Sequence, residues 1–373
     1  MCASTSHGSA TCEAGNCGLR CNAGYHACTT GCCRDLEAVA VGNQSSCVID
    51  LDGALRCWGR AANFSLVPII TQGFSSGIAA VALGDDGADC VMTTAGAVRC
   101  WGTNGSGQLG DGTTTARTNA VPVTGLSSGV TAITAGRAFA CAITESGVRC
   151  WGENGDRQLG DGTTTDRHVP TPVLGLPADI IAIAAASTST CALRANGRVL
   201  CWGSAFVTEQ QGAGPFEVPQ LINAVTIAGS GESFCAVTVL GTATCWGSNN
   251  RGQLGDGTTN RPVGLTPVAV TAITNVTKIA VGSLFACATT SAGALHCWGD
   301  GSLGSLGTGN TANSSVPQQV FPAGISDIAA AGGASHACAL IAGNVTCWGW
   351  NNAGQVGDGT TTERDSPVAV PGL

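Results

Sequence analysis

The stretch Arg149–Arg167, RCWGENGDRQLGDGTTTDR, decides the fold because the chain does not use it only once. Residues 99–117 read RCWGTNGSGQLGDGTTTAR, and residues 245–261 read CWGSNNRGQLGDGTTNR. The phrase Cys-Trp-Gly stands seven times, with its tryptophans at Trp58, Trp101, Trp151, Trp202, Trp246, Trp298 and Trp348. These are separated by 43, 50, 51, 44, 52 and 50 residues. A period of that length suits one four-stranded propeller blade per unit. Helical repeats of similar length would show apolar residues every 3.6 positions, whereas these units show short alternating or β-branched runs between glycines.

Each unit reads the same way. A first strand such as VTAITAG, VTKIAVG or LEAVAVG is built of Val, Ile and Ala, small enough for the crowded centre of a ring. A second strand carries a cysteine (FACAIT, FACATT, HACALI), and a glycine turn leads into a third that ends in Cys-Trp-Gly. After a long polar loop, AVPVTGL or TPVLGL supplies an outer strand, where proline is tolerated because one side is free. The expected fold is all-β: a seven-bladed β-propeller of four-stranded blades over residues 34–373, preceded by a cysteine-rich mini-module over residues 1–33. The last segment, Ser366–Leu373, has two possible places. It completes blade seven, or it pairs with the N-terminal LEAVAVG strand as a clasp.

Each Cys of Cys-Trp-Gly has another cysteine nine or ten residues before it. The pairs are Cys47–Cys57, Cys90–Cys100, Cys141–Cys150, Cys191–Cys201, Cys235–Cys245, Cys287–Cys297 and Cys338–Cys347. In CVIDLDGALRC, a three-residue loop Leu51-Asp52-Gly53 with Gly53 left-handed sets Cys47 directly opposite Cys57. That is a non-hydrogen-bonded site, with Cα atoms about 4.5 Å apart, where a disulfide can close. The nine-residue cases need a two- or four-residue loop. Seven zinc or redox sites are the rival reading, but no CxxC lies within a pair and no third or fourth ligand is supplied. Each disulfide closes a short loop and contributes about 2–3 kcal/mol. Such cysteine use points to an oxidising compartment.

The tryptophans could stack on sugars or absorb ultraviolet light. Their fixed place on a central strand beside a disulfide favours packing between sheets. The QLGDGTT loops (Gln108–Thr114, Gln158–Thr164, Gln253–Thr259 and the QVGDGTT variant Gln355–Thr361) invite a calcium or phosphate reading. Each offers a single carboxylate, Asp111, Asp161, Asp256 or Asp358, where calcium takes six to eight oxygens. Turn chemistry is the better account. Units one and four lack the loop, which their shorter periods of 43 and 44 residues record.

Composition narrows the partner. The chain has 373 residues, 11% charged, with a net charge of −8 and Lys278 as its one lysine. Nucleic acid and anionic membrane want a basic face and are not expected. No apolar run reaches the length of a membrane span. No charged start precedes an apolar segment, so a signal peptide is absent and a secreted protein would be a processed or trimmed one. Residues 1–33 hold seven cysteines, which implies a disulfide-held module with one partner missing; His7 and His26 could instead join these thiols on zinc.

These units resemble the repeat of the regulator of chromosome condensation family, best in GGASHACALIAGNVTCWGWNNAGQVGDG and AGRAFACAITESGVRCWGENGDRQLGDG. The resemblance covers residues 36–373 and implies a seven-bladed propeller. The family's histidine position holds His336 but Phe139 and Phe285 elsewhere. The paired cysteines are an addition that looks like the extracytoplasmic bacterial branch. The family's functions are various: nucleotide exchange on a GTPase with chromatin contact, ultraviolet sensing in plants, β-lactamase inhibition in a similar bacterial propeller. Exchange would need an inserted wedge, and no blade carries a long insertion.

No catalytic constellation is recognisable. His168, His296 and His336 lie in separate repeats, and the neighbours Asp85 and Asp86 read as a solvated loop pair. The expected protein is therefore not an enzyme, holds no cofactor or metal, and is a monomeric, extracellular or cell-surface scaffold for a protein partner. A glycan or small-molecule binder using face aromatics is the second reading, and a hydrolase or lyase at the shaft mouth the third. Binding is expected where the repeat is broken: the irregular loops of units one and four with Phe64, Phe206 and Phe216, the unit-six loop DGSLGSLGTGNTANSS, and Trp350. Phe64, Phe206 and Trp350 are the expected contact residues.

Overall fold

A computed structural model describes residues 8–13, 16–21, 25–28, 31–34, 36–62, 64–204, 214–260, 264–330, 333 and 335–373. Seven four-stranded antiparallel sheets follow one another along the chain. Blade 1 runs from Leu36–Gly42 to Ser65–Ile70 and blade 2 from Ile78–Leu83 to Arg117–Pro122. Blade 3 runs from Val130–Ala135 to Arg167–Pro172, blade 4 from Ile180–Ala185 to Phe216–Glu217. Blade 5 runs from Ala224–Ser230 to Val268–Ala269, blade 6 from Val276–Val281 to Ser314–Phe321, and blade 7 from Ile325–Ala330 to Arg364–Ala369. Ahead of them stand two hairpins, Gly8–Glu13 with Asn16–Cys21 and Tyr25–Cys28 with Gly31–Arg34.

The Ala- and Val-rich first strands pack side by side around a central channel of about 300 Å³, lined by residues such as Val81, Ile133, Ile183 and Ile279. Small side chains are what permit seven strands to converge there. The C-terminal strand settles the closure question. Arg364–Ala369 pairs with Asn344–Gly349 and finishes blade 7, so it is not a clasp on blade 1.

The hairpin register explains the cysteine spacing. Cys47 stands opposite Cys57 around a turn with Gly53 at φ +73°, as the three-residue loop requires. The two nine-residue cases use two-residue turns, closing at Thr144–Gly147 and Ile341–Asn344. All seven pairs lie at disulfide distance, S–S 2.03 to 2.13 Å, with Cα atoms 4.0 to 4.1 Å apart.

The core lies in the seams between blades rather than within any one of them. Successive side chains on a strand face opposite ways, so in each Cys-Trp pair the cysteine faces the next blade and the tryptophan the preceding one. The disulfide of blade 2, Cys90–Cys100, shares a cluster with Trp151 of blade 3. Cys338–Cys347 of blade 7 shares one with Trp58 of blade 1. The tryptophan is thus beside a disulfide, but that of its neighbour. The dipeptide serves two seams at once.

Candidate functional site

The polar loops turn out to be locks. In blade 2, Asn104 Oδ1 accepts from Leu109 N at 2.9 Å while Asn104 Nδ2 donates to the carbonyls of Thr113 and Thr115. Asp111 Oδ1 accepts from Thr113 N at 2.9 Å, and Arg117 Nε donates to Asp111 Oδ2 at 3.1 Å. Asp161 with Arg167 and Asp358 with Arg364 repeat the arrangement. Partial burial raises these carboxyl pKa values, but the hydrogen bonds from threonine and arginine outweigh it and hold them below the usual range. The aspartates therefore do turn chemistry. No group of three or more potential metal ligands occurs among the described residues.

So shaped, each loop reaches across the seam to the tryptophan of the following blade. Trp151 Nε1 donates to Gln108 O at 2.9 Å, Trp202 to Gln158 O at 2.9 Å, Trp298 to Gln253 O at 3.0 Å and Trp58 to Gln355 O at 2.8 Å. The unit-six loop, irregular in sequence, makes the same lock, with Ser305 O accepting from Trp348 at 3.0 Å. The loop expected as a departure from the repeat therefore keeps the repeat's lock. It is a structural loop with Ser305 and Leu306 in the places of Gln and Leu.

Two seams show no such lock among the described residues, and units one and four lack the QLGDGTT sequence. Between blades 4 and 5, Phe234 stacks on Trp246 with ring centroids 5.9 Å apart, and Trp246 Nε1 is buried with no partner among the described residues. Between blades 1 and 2 the seam is open. A groove of about 620 Å³ runs down it, bordered by Arg60, Ile70 and Thr71 of blade 1, Phe74 beyond its last strand, and Asp89, Trp101 and Arg117 of blade 2. Phe74 and Trp101 lie with centroids 5.6 Å apart at the groove wall. Thr71 Oγ1 is buried without a partner among the described residues. Asp89 stands directly opposite Trp101 on the neighbouring strand, and burial pushes its carboxyl up to about 7 against the pull of the Gly84 N–H and Arg60.

The expected contact residues fall as follows. Phe64 is 59% exposed on the short loop of blade 1, beside an outer strand whose Val67, Ile69 and Ile70 are also exposed. Trp350 is half-buried on the corresponding loop of blade 7, with its backbone N–H bonded to Ser335 O. The blade 7 loop meets the outer strand of blade 1, where Gly359 N donates to Leu66 O at 3.0 Å. Phe206 lies outside the described residues, as does His7. Phe216 packs partly buried in the seam between blades 4 and 5.

The isolated histidines do not converge. His336 is fully buried in the closing seam, its Nε2 2.9 Å from Ser46 Oγ, and burial pulls its pKa down to about 3. The solvated reading of Asp85 and Asp86 holds for Asp86 alone. Asp85 is half-buried at the channel, with Ser187 Oγ at 3.4 Å, and burial raises its pKa to about 6. Asp89 was the missed residue. Its signal was present in the repeat: the position opposite the tryptophan holds Ser46, Ala140, Thr190, Phe234, Ala286 and Ala337 elsewhere, so the carboxylate stands out.

Residues 65–373 match the sequence profile of the RCC1-like domain. The chain belongs to the RCC1-like domain family. No curated protein matches it. Among solved structures it is similar to human WBSCR16, with 22% identity over 83% of this chain and 85% of that one, TM-score 0.72. It is also similar to yeast RCC1 (Prp20) bound to Kap60, with 18% identity over 86% and 84%, TM-score 0.74. The ectodomain of the Physcomitrella patens receptor kinase CR4 follows at 19% identity over 85% and 74%, TM-score 0.53. At such identities these likenesses concern the shared RCC1-like propeller and not its partners.

Proposed function

We propose that this RCC1-like propeller is an extracytoplasmic protein-binding scaffold and not an enzyme. The observation that carries the reading is the concentration of irregularity in one place. Five seams are closed by the same lock, while blade 1 presents exposed Phe64, Ile69 and Ile70 beside an open seam. A rigid ring holding an aromatic anchor among polar loops suits a protein hot spot. Seven cysteine pairs at bonding distance favour an oxidising surrounding. No helix among the described residues is long and apolar enough to cross a membrane.

The sugar-stacking alternative is weaker, since six of the repeated tryptophans are fully buried and Trp101 is only 8% exposed. Binding to Gsp1p and histones, studied with the Prp20p structure, is the weaker reading, because no blade here carries a long insertion and the net charge is −8.

The test is affinity capture from the producer's extracellular fraction, followed by alanine at Phe64, Phe206 and Trp350. Each hot-spot residue should weaken binding by at least about 1 kcal/mol. Full affinity in all three folded variants would refute the assignment of the face. Non-reducing peptide mapping should recover the seven nearest cysteine pairs, and free thiols at most of them would refute the compartment.

A further inference from the structure

The repeat itself describes what fits the open seam. In all five locked seams the indole receives the incoming loop, and in two of them a hydroxyl helps. The indole N–H takes the carbonyl of the residue in the glutamine place. Where the position opposite the tryptophan carries a hydroxyl, it donates to that carbonyl too: Ser46 Oγ to Gln355 O at 2.9 Å and Thr190 Oγ1 to Gln158 O at 3.1 Å. The next residue, Leu109, Leu159, Leu254, Leu306 or Val356, is buried in the seam.

A glycine then presses against the ring. A Cβ on Gly110, Gly160, Gly255, Gly307 or Gly357 would come within 2.5 to 2.9 Å of the tryptophan. In blade 2 the same Cβ would also lie 2.9 Å from Val123, at the start of the chain leaving the outer strand.

The corresponding positions in the seam between blades 1 and 2 carry no such loop among the described residues. Trp101 borders the groove, and its indole N–H makes no hydrogen bond among the described residues. Asp89 replaces the hydroxyl of Ser46 or Thr190, and its raised pKa lets it carry the donating proton near neutrality. Thr71 replaces the valine that elsewhere faces the loop glycine, and its hydroxyl is buried and unpartnered among the described residues. The backbone N–H groups of Thr124, Leu174 and Thr271 bond to the loop glycines Gly110, Gly160 and Gly255, and blade 1 has no glycine in that place opposite Gln72.

We propose that this groove is a recognition slot for a turn of a partner polypeptide, shaped like this protein's own loops. The turn presents one backbone carbonyl to Trp101 and Asp89, then an aliphatic side chain, then a glycine against the indole. Exposed Ile69 and Ile70 border the groove and extend the slot outward, where residues flanking the turn would lie. The proposal rests on the protein-binding reading and names the partner's chemistry.

The probe is the fifteen-residue peptide TNGSGQLGDGTTTAR, the sequence of residues 103–117, which contains the Asn104, Asp111 and Arg117 contacts that shape the loop. It is titrated into the full, oxidised chain while the indole N–H resonance of Trp101, assigned with Trp101→Phe, is followed. The expected result is a saturable downfield shift and slowed solvent exchange of that proton alone among the indoles. Replacing the glycine at position 110 of the peptide by alanine should abolish the effect. Asp89→Ala should weaken it at least tenfold, with circular dichroism confirming the fold.

The glycine arm changes only the peptide and so does not depend on any variant folding. No shift at millimolar peptide, or an equal shift with the alanine peptide, overturns the proposal. A shift produced by oligosaccharides and not by the peptide also overturns it. A partner captured through Phe64 and Trp350 while Trp101 stays silent would sink the slot and leave the protein-binding reading standing.

Discussion

The seam between blades 2 and 3 and the seam between blades 1 and 2 are built from the same parts. In both, a disulfide of one blade faces a tryptophan of the next. They differ in one insertion. With it, Leu109 is buried and Trp151 is bonded; without it, Trp101 borders a groove of about 620 Å³. The seam between blades 1 and 2 stands on its apolar cluster, with Ile49, Leu55, Phe74 and Val91 around the disulfide and the ring, and the loop elsewhere is an addition that seals the gap. A seam can be relieved of sealing and still stand, which is what makes it available for other use.

The largest effect expected from this difference is in packing. Leu109→Ala, at a side chain with no exposure, should lower the unfolding free energy by about 2–5 kcal/mol in a urea titration. Ile69→Ala, at an exposed position in the open seam, should change it by less than about 1 kcal/mol. Equal losses would mean that both seams are sealed alike.

The next effect isolates a single hydrogen bond. Trp151→Phe leaves the Gln108 carbonyl buried without its donor, whereas Trp101→Phe removes an N–H that bonds nothing among the described residues. The first variant should be less stable than the second by about 1–2 kcal/mol. If the two unfold together, Trp101 has a partner and the slot is already filled.

A third effect is a slope with pH and not a single difference. Asp89 ionises near 3.8 when unfolded and at about 7 when folded, because burial disfavours its charge. Between those values the folded chain holds a proton that the unfolded chain has lost. Its contribution is therefore full below 3.8 and is lost as pH rises towards 7. Asp89→Asn should gain on the parent protein in melting temperature from pH 4 to 7.5. A constant difference would place Asp89 in contact with water.

The sequence made the blade legible and the seam much less so. Cysteine pairing followed from hairpin register alone, since Cys47 and Cys57 lie within ten residues and one turn connects them. The tryptophans were read as packing residues, but their partners lie in other repeats, as with Trp202 and the Gln158 carbonyl 44 residues before it. Periodicity within a unit carries no information about which unit a loop leans on. For the same reason the lock in the unit-six loop is not visible in its sequence, and Asp89 has no motif around it to single it out. Comparing one column across all seven units would have exposed Asp89. Locating the groove required the ring.

The closing seam imposes an order on assembly. Each blade is drawn from consecutive residues, and each cysteine meets its partner within nine or ten. A chain emerging from its N-terminus can therefore complete and oxidise one blade before the next is made. Trp58 is the exception. It must wait for Gln355, 297 residues later, and Ser46 must wait for His336, 290 residues later. Until blade 7 arrives, blade 1 shows an empty lock to its surroundings, and a chaperone or a second nascent chain offering a suitable turn could claim it first.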